Sequence, residues 1–104
     1  MKIAVTFENG EVVMQEKTLA EGTYSVVTKD MTVWGTADTS ATPDANGEYW
    51  YVVNANVTRD SSLEELVVNG KVNLILCDSV TFNMSFDAIN VSEGNELTVY
   101  GQMN

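Results

Sequence analysis

The side chains able to do chemistry here are carboxylates, and there are few others. The chain holds 15 Asp and Glu, no histidine and one cysteine. Without histidine there is no Ser-His-Asp or Cys-His nucleophile, no His-bound zinc, and no side chain whose ordinary pKa suits proton transfer at neutral pH. One cysteine cannot build a four-thiolate zinc or iron–sulfur cage. The glycine-rich phosphate loops and the Gly-x-Ser-x-Gly elbow are absent as well. Carboxylate pairs remain, since two acids flanking a scissile bond can hydrolyse glycosides. Asp78 with Asp87, and Glu93 with Glu96, are the candidates, but a chain this acidic places some acids together by chance. The expectation is that the protein is not an enzyme.

Three other groupings carry a chemical reading beside a plainer one. Asp44, Asn46 and Glu48 alternate as in a calcium loop, but Gly47 falls at the fourth position rather than the sixth, so a tight turn is the better reading and no cofactor is expected. Trp34, Tyr49, Trp50 and Tyr51 could stack on sugar rings. Strand alternation sets Tyr49 and Tyr51 on one face and Trp50 on the other, and core packing is the default for such rings. Cys77 follows Leu74-Ile75-Leu76 and reads as a small buried hydrophobe. The Asn-x-Ser/Thr triplets at Asn56, Asn83 and Asn90 read as chance matches to the glycosylation pattern.

The elements that position these residues are mostly strands. Ile3, Val5 and Phe7 alternate with polar residues and lead into Asn9-Gly10, the preferred pair for a two-residue hairpin turn. That turn sets Phe7 opposite Val12 and Val5 opposite Met14. Tyr24–Thr28 and Met31–Trp34 read as a second pair of strands around Lys29-Asp30. Residues 35–47, with the only proline at 43, form the longest loop, read as either a mobile connection or a binding loop. Tyr49–Val53 resumes as a strand. Ser61–Leu66 is the one plausible helical turn, with Ser62 and Glu65 spaced as a capping box. Further on, Leu66–Leu76 can be laid over Ala88–Tyr100 at an offset of roughly 23 residues, the length of one coil of a β-solenoid, with Val80–Met84 as a third side. The fold class expected is therefore mostly β in a single domain, 1–104. Antiparallel hairpins stand at the N-terminus, a β-sheet or short β-solenoid at the C-terminus, and at most one short helix near 62–66.

Residues 49–102 resemble a module of large surface proteins of gut Firmicutes, often described as carbohydrate-binding or repeat-containing. The likeness lies in Tyr49-Trp-Tyr-Val-Val-Asn-Ala-Asn-Val-Thr58, Val72-Asn-Leu-Ile-Leu-Cys-Asp78 and Gly94-Asn-Glu-Leu-Thr-Val-Tyr-Gly-Gln102. It implies a parallel β-solenoid with a carbohydrate-binding or structural role. Residues 1–12 separately look like the first strand of the dinitrogenase iron–molybdenum cofactor-binding family; the cofactor chemistry of that family is not carried over, since the chain has no histidine.

Charge bounds the partners. With 5 basic residues against 15 acidic, the net charge is −10. Such a field repels nucleic acid and anionic membrane and attracts basic protein surfaces. The leading expectation is thus a non-enzymatic acidic protein that blocks a basic, nucleic-acid-binding surface of another macromolecule, as a phage-type anti-CRISPR inhibitor would. The alternative is the β-solenoid fragment just described. The partner-binding residues expected are acids near turns: Glu8 and Glu11, Glu64 and Glu65, and Glu93 and Glu96. No direct nucleic-acid contact and no membrane contact are expected, while an open sheet edge would permit self-association. The opening residues lack the pattern of a secretory leader, so a cytoplasmic location is the expectation.

Overall fold

The structure is a computed structural model and describes residues 2–3, 6–8, 11–13, 17–19, 22–59, 65–84 and 89–101. Near the N-terminus β1 (Lys2–Ile3) pairs antiparallel with β4 (Lys17–Thr18). Between them, β2 (Thr6–Glu8) pairs antiparallel with β3 (Glu11–Val13), Phe7 lying opposite Val12. Asn9-Gly10, Val5 and Met14 lie outside the described residues.

From residue 22 onward every sheet is parallel. The strands are β5 (Ser25–Val26), β6 (Val33–Gly35), β7 (Glu48–Val53), β8 (Val57–Arg59), β9 (Leu66–Asn69), β10 (Lys71–Leu76), β11 (Phe82–Met84), β12 (Ile89–Val91) and β13 (Glu96–Gly101). They form three sheets, ordered β13-β10-β7-β5, β11-β8 and β12-β9-β6. The chain passes from β5 in the first sheet directly to β6 in the third; from β7 onward it visits the first, second and third sheet in turn and then returns to the first, so it winds as a three-sided coil. Glu48, Lys71 and Glu96 are register partners, which spaces equivalent positions of the first sheet by 23 and 25 residues. On the second sheet Val57 pairs with Phe82, and on the third Leu66 pairs with Ile89.

This winding overturns one sequence expectation. Tyr24–Thr28 and Met31–Trp34 contain β5 and β6, but these strands do not pair with each other. β5 lies beside β7 and β6 beside β9, both parallel. The residues between them turn a corner of the coil, and each strand hydrogen-bonds to the next coil instead of doubling back. A helical turn at 61–66 also fails at its end. Leu66 opens a strand and Glu65 is irregular, while 61–64 lie outside the described residues. No helix occurs among the described residues, so none there is long and apolar enough to cross a membrane.

The core follows from strand alternation. Inside the coil, Trp34, Tyr51, Leu66 and Val68 are fully buried, with Val72 and Leu74 nearly so. Trp34 stacks on Tyr51 at 5.2 Å between ring centres and meets Phe82 at 6.0 Å. Each such side chain removed from water contributes ~1.5–3 kcal/mol. β7 carries Trp50 and Val52 on the face opposite Tyr51 and Val53, and β10 carries Ile75 beside the buried Asn73 on the face opposite Val72 and Leu74, which marks strands covered from both sides. A second cluster accordingly forms on the outside of the first sheet, where Trp50, Val52 and Ile75 are buried with Leu19. Leu19 thus brings the end of the N-terminal segment over that outer face.

Candidate functional site

Three connections run from the third sheet back to the first. They differ greatly in length: residues 36–47, then Gly70 alone, then residues 92–95. In coiled β folds such variable connections gather on one side and carry binding functions. The long one is held by two aspartates. Asp38 Oδ1 accepts hydrogen bonds from the Ser40 amide (3.0 Å) and hydroxyl (2.6 Å), and its Oδ2 accepts from the Tyr51 hydroxyl (2.7 Å). That hydroxyl in turn accepts the buried Gly35 N–H at 2.9 Å. Asp44 Oδ1 accepts from the amides of Asn46 (2.8 Å) and Glu48 (3.0 Å), and its Oδ2 accepts from Trp50 Nε1 (2.8 Å).

The electrostatics follow this wiring. Burial pushes the Tyr51 phenol well above its usual range; the Gly35 N–H works against this, and neighbouring Asp38 adds to the rise. Burial also acts to raise Asp38, but the hydrogen bonds from Ser40 and Tyr51 outweigh it, and the carboxyl sits below its ordinary value. Burial raises the half-buried Cys77 thiol, with Asp78 adding to the effect. A protonated thiol is a poor nucleophile. Cys77 packs at the margin of the outer cluster instead of being enclosed in it.

Between this loop and the start of β5 lies a cleft of about 110 Å³, lined by Thr23, Tyr24, Ser25, Ser40, Thr42 and Trp50 with Gly22. Among the described residues no charged side chain lines it. Its polar groups are hydroxyls, which both donate and accept. Tyr24 is half-buried, and Trp50, only 5% exposed, is fixed by its bond to Asp44 and by stacking on Tyr100 at 5.7 Å. Such a lining can recognise a neutral hydroxyl-bearing group.

Of the residues singled out from sequence Trp50 lines this cleft, whereas Glu65, Glu93 and Glu96 do not. Glu8 and Glu11 are register partners in β2 and β3. Glu64 lies outside the described residues, as does Asp87. Glu65 is exposed at the entry to β9, where it accepts a hydrogen bond from Asn90 at 3.0 Å. Glu93 and Glu96 are exposed beyond the far ends of the third-sheet strands, and Glu96 is the register partner of Lys71. The fold therefore puts Glu65 and the Glu93–Glu96 pair at different corners. Most of the aromatics pack in the core: Trp34 and Tyr51 are fully buried and Trp50 nearly so, while Tyr49 is partly buried against the inner cluster. Asp44 and Glu48 are engaged in the turn and with Asn73, whose amide donates to Glu48 at 3.0 Å. Among the described residues no three His, Cys, Asp or Glu side chains are grouped to hold a metal ion. Sequence reasoning marked the 35–47 loop for binding but did not single out Asp38, Ser40 or Thr42 within it, nor Tyr24; the density of hydroxyls in Thr39-Ser-Ala-Thr42 was the further signal. Comparison of the chain with protein-family models, curated proteins and solved structures found no match.

Proposed function

We propose that this chain is a non-catalytic binding module of β-solenoid type, whose corner cleft takes part of a neutral sugar. The observation that carries the reading is the cleft's uncharged, hydroxyl-lined wall in a molecule of net charge −10. An anionic ligand would meet a repulsive field with no basic group to offset it, whereas a neutral polyol meets only donors and acceptors. The parallel winding, at 23 to 25 residues per coil on the first sheet, supports the resemblance to carbohydrate-binding surface modules. A cleft of about 110 Å³ covers less than a whole saccharide chain. Affinity for one unit is expected near ~1 mM, about −4 kcal/mol.

The test is a titration of the labelled protein with neutral mono- and oligosaccharides, followed by amide shifts. Ser25, Ser40 and Thr42 should move, the effect should persist from about 50 to 500 mM salt, and Tyr24→Ala should abolish it. Unmoved amides across the panel at ~10 mM sugar, well above that dissociation constant, would discard the reading.

The charge favours a second reading, an acidic inhibitor of a basic protein surface. It predicts the opposite salt behaviour. A protein captured from lysate at low salt and released near ~0.5 M would support it, because screening leaves only close pairs at that ionic strength.

A further inference from the structure

Three Asn-Gly pairs occur in the chain, at 9–10, 46–47 and 69–70. Such pairs carry a chemistry of their own. Glycine has no Cβ to shield its amide nitrogen, so that nitrogen can attack the side-chain carbonyl of the preceding asparagine. The N–Cγ bond forms, the Cγ–Nδ2 bond breaks, and ammonia leaves with the proton from the glycine nitrogen. Water then opens the cyclic imide at either carbonyl, leaving an aspartyl or an isoaspartyl linkage. The second routes the main chain through the former side chain and lengthens it by a methylene. The rate depends on how readily the glycine amide can turn toward the asparagine side chain.

The fold treats the two described pairs oppositely; the pair at 9–10 lies outside the described residues. Asn69 closes β9, the middle strand of the third sheet, and its carbonyl accepts the Thr36 N–H at 3.2 Å. Gly70 is bonded at both ends. Its N–H donates to Asn95 Oδ1 at 2.8 Å, and its carbonyl accepts the Glu96 N–H at 2.9 Å. Turning this peptide means parting β9 from its neighbours. Asn46 and Gly47 instead sit exposed at the tip of a turn. The Gly47 N–H donates to the Asp44 carbonyl at 3.0 Å, and a Cβ placed on Gly47 would meet nothing within 4 Å, so the tip has room to turn.

We propose that Asn46-Gly47 is a site of spontaneous deamidation whose isoaspartyl product loosens the wall of the corner cleft. Asp44 ties the turn together: its Oδ1 accepts the Asn46 and Glu48 N–H groups at 2.8 and 3.0 Å, and its Oδ2 holds Trp50 Nε1. A methylene inserted between those two amides cannot keep both bonds, and Trp50, which lines the cleft, loses its fixed anchor. The modification does not depend on what the cleft binds.

The test is incubation of the folded chain, and of the same chain in concentrated urea, at mildly alkaline pH. Peptide mapping reads the amide-to-acid mass gain, and an isoaspartyl-specific methyltransferase labels the product. In urea positions 46 and 69 should convert at similar rates, because local sequence alone is then in control. In the folded chain position 46 should convert roughly tenfold faster, since position 69 must first open the sheet. Asn46→Gln, whose longer side chain closes a less favourable ring, should stay unmodified. The isoaspartyl form, separated chromatographically, should show stronger acrylamide quenching of tryptophan; Trp34 is fully buried, so the change reports Trp50. Asn46→Asp, which adds the charge without the methylene, should match the parent. Equal folded-state rates at 46 and 69, or an intact position 46 once the urea sample has converted, overturn the site. Conversion that leaves quenching at the parent's level overturns its effect on the cleft.

Discussion

Tyr51 shows how one hydroxyl ties a loop to a core. It takes the Gly35 N–H and gives its proton to Asp38, so removing the oxygen strands a buried amide and loosens the loop together. Tyr51→Phe keeps the ring stacked on Trp34 and should cost ~1–3 kcal/mol in chemical denaturation. The same group sets an alkaline limit. Its folded-state pKa lies above the ordinary 10, so the fold favours the neutral phenol. That contribution is complete below about pH 10 and is lost as pH rises beyond it. Melts between about pH 9 and 11.5 should show stability falling, with a shallower fall in Tyr51→Phe. Burial raises Tyr100 as well, so Tyr100→Phe is the matching control. Asp38 behaves in mirror image. Its folded pKa lies below 3.8, so its contribution is present above that value and disappears as pH drops beneath it.

At the scale of elements, the corners decide the fold. Gly35 and Gly47 both have positive φ, 102° and 78°, but differ in room. A Cβ on Gly35 would fall 1.8 Å from the Asn69 carbonyl oxygen, whereas one on Gly47 meets nothing within 4 Å. Gly47→Ala should therefore cost only the left-handed backbone penalty, about 1–2 kcal/mol. Gly35→Ala must also push β9 away from β6 and should cost roughly 2–5 kcal/mol. Urea midpoints of the two variants test the contrast, and equal midpoints would mean the corner yields easily. The strands were legible in sequence because alternation and β-branched content are local properties. The faint repeat was legible too, since Leu66 stacks on Ile89, and the two extra residues of the later copy sit in the 92–95 corner. The partners of β5 and β6 were not. A hairpin and a coil corner both need two short strands joined by polar residues, and only the coils beneath them choose between the two. The cleft was hidden for the same reason, because Tyr24 and Thr42 are far apart in sequence and meet only once β7 has brought the loop back.

For the whole molecule, charge was the plainest feature of the sequence, but its placement was not readable there. Of the candidate acids, Glu65 and the Glu93–Glu96 pair fall at separate corners, and Glu96 is the register partner of Lys71. Salt separates these roles. At about 10 mM ionic strength the Debye length is ~30 Å, so distant acids repel across the fold; near 0.3 M it falls to ~6 Å, and only neighbours on adjacent rungs still interact. Relief of self-repulsion should raise stability by about 1 kcal/mol, or roughly 4–8 °C in melting temperature. Binding of a neutral sugar in the uncharged cleft should not change. One sodium chloride series, measuring melting temperature and sugar-induced amide shifts on the same sample, therefore predicts a rise and a flat line. A sugar response that fell with salt would place charge in a cleft whose wall has none, and would point instead to an acidic surface as the ligand's true contact.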